Sequence, residues 1–123
     1  MKKAADFMSE ANAIVPKITP AEGIARHAAG ATFVDVRDSG DVAKSGTIAG
    51  ALRISRGMLE FRACDEHALH DAGMQKDAEI ILICAAGGQA ALAGKTLHEM
   101  GFANVSNVGG FTAWQEAGGP VED

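Results

Sequence analysis

The sequence predicts an α/β fold, a mostly parallel central sheet with helices on both faces. Two observations support this: strand-like and helix-like segments alternate along the chain, and the apolar run Ile80–Ile83 has the length and composition of a strand buried on both faces. Such an alternation builds a parallel sheet through right-handed crossovers. The 123 residues and 47% hydrophobic content fit one domain over residues 1–123, with a core from about Lys17 to Gly119.

The first half of the chain predicts two helices and two strands. A helical segment spans about Lys2 to Ala13. A second helix begins after Thr19, which can cap it, with Pro20 in the first turn and Glu22 positioned to bond back as a capping box. Gly30 ends that helix. The following segments are a strand at Ala31–Val36, a short helix or turn at Ser39–Ser45, and a short strand at Ala51–Ile54.

The second half continues the alternation. A helix is expected from about Gly88 to Met100, ended by Gly101. One face of this helix carries Ala93, Leu97 and Met100. A strand at Ala103–Asn107 and a last helix at Phe111–Ala117 follow, with Trp114 as the core anchor of that helix and a frayed tail after it.

A cysteine stands where the central apolar run ends. Cys84 is followed by a loop of small residues, which consists of Ala85, Ala86, Gly87, Gly88 and Gln89. Ligands of open α/β sheets bind at the carboxyl ends of strands. The glycine pair lets the loop curl with amide N–H groups inward, and the next helix adds its positive dipole end, so both features favour a thiolate. A cysteine that merely packs as a small hydrophobe is the alternative, but it needs no loop that frees amides.

Four segments stand in this order along the chain: Phe33–Arg37, Gly46–Ile54, the loop Cys84–Gln89, and Asn107–Trp114. Together they resemble the rhodanese (sulfurtransferase) family. The stretch Arg56–Phe61 further resembles a bacterial stand-alone, single-domain subgroup. The resemblance covers most of the chain and implies a rhodanese-like fold with five main strands.

The resemblance also implies a chemistry, the transfer of sulfane sulfur through a persulfide on Cys84. The donor is a small sulfur anion such as thiosulfate, or a persulfide, and the acceptor is cyanide or a thiol, either a small molecule or a protein. The backbone amides of Ala85 to Gln89 form the substrate- and anion-binding loop that stabilises both the thiolate and the persulfide anion. This relay needs no metal, nucleotide or flavin cofactor.

The sequence departs from the family pattern at two positions. Gln89 stands where an arginine is common, and a neutral hydrogen bond to an oxyanion is about half as strong as a charge-assisted one, so weak thiosulfate activity is expected. Arg56 and Arg62 are candidate substrate cations that would compensate, although a solvated surface arginine is the commoner fate. The second departure is Thr47, where histidine is frequent and which we attribute to packing.

Two other functions are alternatives to the sulfurtransferase. A non-catalytic rhodanese-like module for sulfur sensing or protein binding is the stronger, because of Gln89. A cysteine-dependent phosphatase is disfavoured, because such an enzyme needs a longer loop closed by an arginine, whereas Ala90 follows Gln89 here. Asp35 and Arg37 at the end of a strand are interpreted as a structural ion pair.

A second group of polar residues lies between the predicted strands. Cys64, His67 and His70 have spacings that a metal site can use, but the solvated helix face is favoured and no metal is assigned. Cys64 resolving a Cys84 persulfide into a disulfide is a further alternative. Because two cysteines make no disulfide framework in a chain of this length, we expect reduced thiols.

Charge and hydropathy limit the kinds of partner that we expect for this protein. The net charge is −5 and the eleven Lys and Arg residues are scattered, so nucleic acid is not an expected partner. The amino terminus has no continuous apolar segment, and the uncharged stretch Ile80–Gly94 is interrupted by glycines. We therefore expect no membrane association and a cytoplasmic location.

Overall fold

A four-stranded parallel sheet lies at the centre of the computed structural model, which describes residues 1–123. The strands of the protein are β1 (Thr32–Asp35), β2 (Thr47–Ile48), β3 (Leu52–Arg53), β4 (Ile80–Cys84), β5 (Val105–Gly110) and β6 (Val121–Glu122). The helices are α1 (Ala4–Ile14), α2 (Pro20–Ala28), α3 (Ser39–Ser45), α4 (Leu59–Ala63), α5 (Gly88–Glu99) and α6 (Phe111–Glu116), with a 3₁₀ turn at Arg56–Met58. The strand order in the main sheet is β3-β1-β4-β5. The predicted α/β class is therefore confirmed.

The resemblance implies five main strands, but the main sheet has four, and beside β5 there is only a single parallel bridge. Lys17 pairs there with Asn107. The Asn107 N–H donates to the carbonyl of Pro16 at 2.9 Å, and the Ile18 N–H donates to the carbonyl of Asn107 at 2.9 Å. Prolines at positions 16 and 20 have no N–H to donate, so the pairing does not extend into a longer strand.

The side chains of β4 alternate between two cores. Ile80, Leu82 and Cys84 belong to the core under α4 and α5, whereas Ile81 and Ile83 belong to the core under α6. This alternation follows from the two-residue period of a strand. Trp114 is fully buried in the second core, as its predicted role of anchor requires. Cys84 therefore faces α5, the helix that follows its loop.

Helix α1 packs against α5. Ala11 on α1 is fully buried, and Val15, directly after the helix, touches Gly94 on α5. A Cβ at Gly94 would lie 2.7 Å from one Val15 methyl and 2.8 Å from the other. The glycine thus permits the close approach that brings α1 near the cysteine loop.

The predicted capping box at the start of α2 is confirmed. The Thr19 hydroxyl accepts from the Glu22 N–H at 3.1 Å, and a Glu22 carboxylate oxygen accepts from the Thr19 N–H at 3.1 Å. These bonds hold the pKa of Glu22 below its usual range, and the backbone N–H of Thr19 is the largest cause. The helix ends at Ala28, before Gly30 at φ +97°.

The expectation of a frayed tail is wrong. Strand β6 pairs antiparallel with β2, and the Glu122 carboxylate accepts a hydrogen bond from the Gly50 N–H. Just before β6, the carbonyl of Pro120 accepts from the Trp114 indole N–H at 3.0 Å. Both residues of β6 are exposed, so no apolar periodicity in the sequence could indicate the strand.

No helix in the structure is long and apolar enough to cross a lipid bilayer.

Candidate active site

The Cys84 thiol lies at the carboxyl end of β4 and is almost fully buried, with 2% of the residue exposed. Its Sγ accepts hydrogen bonds from two backbone N–H groups, Gly87 at 2.9 Å and Ala90 at 3.3 Å. A neutral thiol is a weak acceptor, whereas a sulfur anion is a strong one. The two N–H groups are therefore placed to donate to a sulfur anion at this position.

The loop after Cys84 takes its shape from Gly87. This residue is the N-cap of α5 and has φ +96°, a conformation that L side chains rarely adopt. The resulting turn directs the N–H of Gly87 at the sulfur and starts the helix whose third residue is Ala90. The sequence predicted donors within Ala85–Gln89, so it found Gly87 and missed Ala90.

Four other amide N–H groups of the loop have no acceptor within the chain. They belong to Ala85, Ala86, Gly88 and Gln89. Gly88 and Gln89 are the first two residues of α5, where N–H groups have no helical partner and the dipole is positive. The arrangement can accept a negative charge beside the sulfur without any side-chain acid or base.

Asn107 on β5 supports the loop, a role that the sequence analysis did not assign to it. The residue is 3% exposed, its Nδ2 donates to the carbonyl of Gly87 at 2.9 Å, and its Oδ1 accepts from the Gly109 N–H at 2.8 Å. Gly110 lies next, where a Cβ would collide with the carbonyl of Ala85. The predicted strand ended at Asn107, but β5 continues to Gly110 and packs its backbone directly on the loop.

The two candidate cations lie in different places. Arg56 is held by the Glu60 carboxylate at 2.9 Å and the Thr96 hydroxyl at 3.0 Å, and it lines a groove of about 640 Å³ that also touches Gly88. Arg62 lies 3.4 Å from Asp71 and lines another cavity, to which no residue of the cysteine loop contributes. Gln89 is exposed in the first turn of α5. Only Arg56, of the two arginines, shares a cavity with the loop.

Helix α1 adds side chains beside the loop that the sequence did not indicate. Met8 lines the groove of Arg56 and also a second cavity of about 480 Å³, which Ala86, Gly87 and Gly88 line as well. Lys17 lines the second cavity as well. Lys95 and Glu99 line the first groove, and the Nζ of Lys95 lies 2.6 Å from a Glu99 carboxylate oxygen. That hydrogen bond raises the pKa of Lys95 and lowers the pKa of Glu99.

Asp35 and Arg37 form a buried ion pair, in agreement with their structural interpretation. The Asp35 carboxylate accepts from the Arg37 guanidinium at 2.8 Å and from the Thr47 hydroxyl at 2.7 Å. Arg37 also donates to the carbonyl of Gly46 at 2.8 Å and stacks 4.5 Å above the ring of Phe111. Thr47 thus does more than pack, because it supplies a donor to a buried carboxylate.

The polar group around Cys64 is not assembled into a metal site. The structure has no group of three or more His, Cys, Asp and Glu side chains that could hold a metal ion. His67 instead accepts from the Leu69 N–H at 3.0 Å, and a ring nitrogen of His70 lies 3.1 Å from the carbonyl of Met74. Cys64 and Cys84 are both free thiols.

Comparison with known proteins gives the family. The sequence model of the rhodanese-like domain family matches residues 19–117. A protein of unknown function from Rhodopseudomonas palustris CGA009, described as a possible tyrosine phosphatase, is 36% identical with a TM-score of 0.92, over 99% of this chain and 96% of the other. The polysulfide-sulfur transferase homodimer of Wolinella succinogenes is 29% identical with a TM-score of 0.76, over 97% and 85%. A rhodanese-related protein of Thermoplasma volcanium is 26% identical with a TM-score of 0.68, over 87% and 97%.

No curated protein sequence matches the chain significantly. The family match covers four-fifths of the sequence and includes the loop of Cys84. The chain therefore belongs to the rhodanese-like domain family, whose fold its own strand order and helices reproduce.

Proposed function

We propose that this protein is a sulfurtransferase that carries sulfane sulfur as a persulfide on Cys84. The observation that carries the proposal is the pair of backbone N–H groups, from Gly87 and Ala90, that donate to Sγ. They are placed to donate to the anionic sulfur, which is the nucleophile of the first displacement. A merely packed cysteine would have no use for such donors, which the loop supplies at the cost of a left-handed residue.

The proposed reaction has two displacements and no net redox change. The Cys84 thiolate attacks the sulfane sulfur of the donor, the donor's S–S bond breaks, and sulfite or a shortened polysulfide leaves with the electron pair. A thiolate or cyanide then attacks the outer sulfur of the persulfide. The new bond forms as the Cys84 thiolate leaves with its electron pair.

The unpaired amides of the loop give the persulfide its environment. The outer sulfur carries the negative charge once it is bound to Sγ, and the loop that follows Cys84 has four N–H groups without an acceptor in the chain. Preorganised backbone donors stabilise such charge without reorganising. The same groups would also bind the leaving anion of the donor.

Gln89 bears on the choice of donor. Thiosulfate presents a sulfonate group, which an arginine would bind with charge, whereas polysulfides and organic persulfides present only sulfur. With a glutamine at this position we propose polysulfide or persulfide as the better donor. The Wolinella succinogenes neighbour, a polysulfide-sulfur transferase, is in keeping with that choice.

Phosphatase activity is the second candidate, because the Rhodopseudomonas palustris neighbour is described as a possible tyrosine phosphatase. A phosphoryl group needs a cation that binds two of its oxygens at once. In this chain the loop carries no arginine, and the residue after Gln89 is Ala90, whose N–H is already committed to Sγ. The geometry favours sulfur transfer.

The cellular setting follows from the chemistry proposed. A persulfide carrier needs its thiol reduced between cycles, and both cysteines are free. We therefore propose a reducing compartment such as the cytoplasm, with small thiols or a thiol protein as acceptors.

A steady-state assay tests the proposal. Wild type, Cys84→Ser and Cys64→Ser are each given polysulfide or thiosulfate with cyanide, and the thiocyanate formed above the rate without protein is measured. p-Nitrophenyl phosphate is offered in parallel. We expect turnover in wild type and Cys64→Ser, none in Cys84→Ser, and no phosphate release. Thiocyanate formation that Cys84→Ser leaves intact would refute the proposal, and Cys84-dependent phosphate release would favour the phosphatase.

A further inference from the structure

A small cavity rich in arginine opens beside β1 and β3. Its volume is about 210 Å³. The polar lining residues are Arg37, Arg53, Arg62, Ser39 and Ser55, and the others are Val42, Ile54 and Met58. No carboxylate is among them. Each guanidinium group has a carboxylate partner within 3.8 Å that does not itself line the cavity. The partners of Arg37, Arg53 and Arg62 are Asp35, Glu122 and Asp71, respectively.

Arg62 and Arg53 retain N–H groups that nothing in the chain accepts. The Nε of Arg62 is buried and has no hydrogen-bond partner, and the contact of this residue with Asp71 is long, at 3.4 Å. Arg53 donates only through Nη2. A buried N–H left unpaired costs free energy, and buried donors in native proteins nearly always have an acceptor. An oxyanion in the cavity would supply one.

The cavity lies at the same edge of the sheet as Cys84. Asp35 on β1 pairs with Ile83 on one side and with Arg53 on the other. The residues that follow on the three neighbouring segments, Cys84, Val36 and Ile54, are therefore side by side. Neighbouring strands are about 4.8 Å apart, which puts the Ile54 side of the cavity about 10 Å from the Cys84 backbone.

We propose that this arginine cavity binds the acidic group of a small thiol acceptor whose sulfur reaches the persulfide on Cys84. The inference rests on the proposed function, because it names the class of acceptor for the same site. A persulfide adds one S–S bond of about 2 Å beyond Sγ. Val36, between Ile54 and Cys84, is fully buried, so the proposal requires the thiol to cross above the carboxyl edge of the sheet, with its carboxylate or sulfonate a few bonds from its sulfur. In the transfer the acceptor thiolate attacks the outer sulfur, and the S–S bond breaks with its electron pair returning to Cys84.

A comparison of two matched acceptors tests the proposal. Protein persulfidated with polysulfide is mixed with 3-mercaptopropionate or with its neutral amide, and the ratio of the two transfer rates is measured. We expect this ratio to fall about tenfold in Arg62→Gln and in Arg53→Gln, as the loss of a charge-assisted hydrogen bond predicts, with the rate for the amide unchanged. An unchanged ratio in both variants would overturn the proposal.

Arg26→Gln is the control. Arg26 resembles Arg62 in exposure, 36% against 40%, and also has a single carboxylate partner, Glu79, but it lies at the amino end of β4. The ratio should stay at the wild-type value in this variant. A fall equal to that of Arg62→Gln would show a general effect of net charge and overturn the assignment to the cavity.

A binding experiment separates this inference from the sulfur chemistry. Sulfate is titrated calorimetrically into Cys84→Ser, and into Cys84→Ser combined with Arg62→Gln, at low ionic strength. We expect a sulfate site in the first protein that is at least tenfold weaker in the second, beside any binding to the amides of the cysteine loop, which the two proteins share. Equal sulfate binding to both proteins, or binding to neither, would overturn the cavity site even if Cys84 of the wild type forms a persulfide. Sulfate binding as expected, together with a wild type that forms no persulfide, would overturn the proposed function alone.

Discussion

Asn107 fixes the position of Gly87 by donating from its side-chain amide to the Gly87 carbonyl at 2.9 Å. Gly87 in turn donates its own N–H to the sulfur of Cys84 at 2.9 Å. Asn107, which follows Cys84 by 23 positions in the sequence, thus controls a hydrogen-bond donor on the cysteine loop. The relationship makes Asn107 a positioning residue.

Asn107→Asp tests this role with little change in shape. The variant keeps an oxygen for the Gly109 N–H but sets a carboxylate oxygen against the Gly87 carbonyl, so we expect a loss of about 1–3 kcal/mol in the free energy of unfolding. Sulfur transfer should fall about tenfold as the donor to Sγ shifts. Urea denaturation and the rate of Cys84 alkylation by iodoacetamide measure the two effects. Alkylation at the wild-type rate would show that Asn107 does not position the loop.

Gln89→Arg should raise activity with thiosulfate by about tenfold, because a charge-assisted hydrogen bond to the sulfonate is about twice as strong as a neutral one. Activity with polysulfide should change little. Gln115→Arg, an exposed glutamine on α6, is the matched control for net charge. The account of the loop would be wrong if Gln115→Arg raised thiosulfate activity as much as Gln89→Arg, or if neither changed it.

Gly94→Ala should destabilise the protein by about 1–3 kcal/mol, because the new methyl would overpack against Val15. Gly40→Ala on α3 is the matched control, since nothing lies within 4 Å of its Cβ position. There the gain in helix propensity should stabilise by about 0.5–1 kcal/mol. Val15→Ala should recover part of the loss in the double variant, and strictly additive unfolding free energies would contradict the packing of α1 on α5.

The capping box at α2 predicts a pH dependence. The pKa of Glu22 is lowered in the folded protein by the Thr19 N–H, so its ionised form contributes stability above the ordinary glutamate pKa, and that contribution is lost as the pH falls through the folded pKa. Glu22→Gln should therefore lower the urea midpoint at pH 7, and its difference from wild type should shrink at acidic pH. Glu116→Gln, which removes a carboxylate at an exposed position on α6, is the control. A difference for Glu22→Gln that is constant from pH 7 to pH 3 would contradict the assignment.

The features that the sequence predicted are local ones. The strand before Cys84 is a run of apolar residues, and the cap at Thr19 needs only its three following residues. The glycine pair after Cys84 indicated a loop with inward amides, and Gly87 supplies one of them to Sγ. Each of these depends on neighbours in the chain, which is why sequence alone carries them.

The features that the sequence did not predict depend on distant contacts. Asn107 meets Gly87 only after β4 and β5 pair, and a bulge between Leu82 and Ile83 shifts their register. The pairing of β6 with β2 joins residues more than 70 positions apart, and Arg62 meets Arg37 and Arg53 only across the cavity they line. No local pattern distinguishes these residues from ordinary polar ones.

The most direct test of the central claim is the intact mass of the protein after a single exposure to sulfur donor. Reduced wild type, Cys84→Ser and Cys64→Ser are each incubated with polysulfide and with thiosulfate, desalted and weighed by mass spectrometry. We predict a gain of one sulfur atom, about 32 Da, in wild type and Cys64→Ser, absent from Cys84→Ser and removed by cyanide. No adduct on wild type with either donor, or an adduct that Cys84→Ser retains, would contradict a persulfide carried on Cys84.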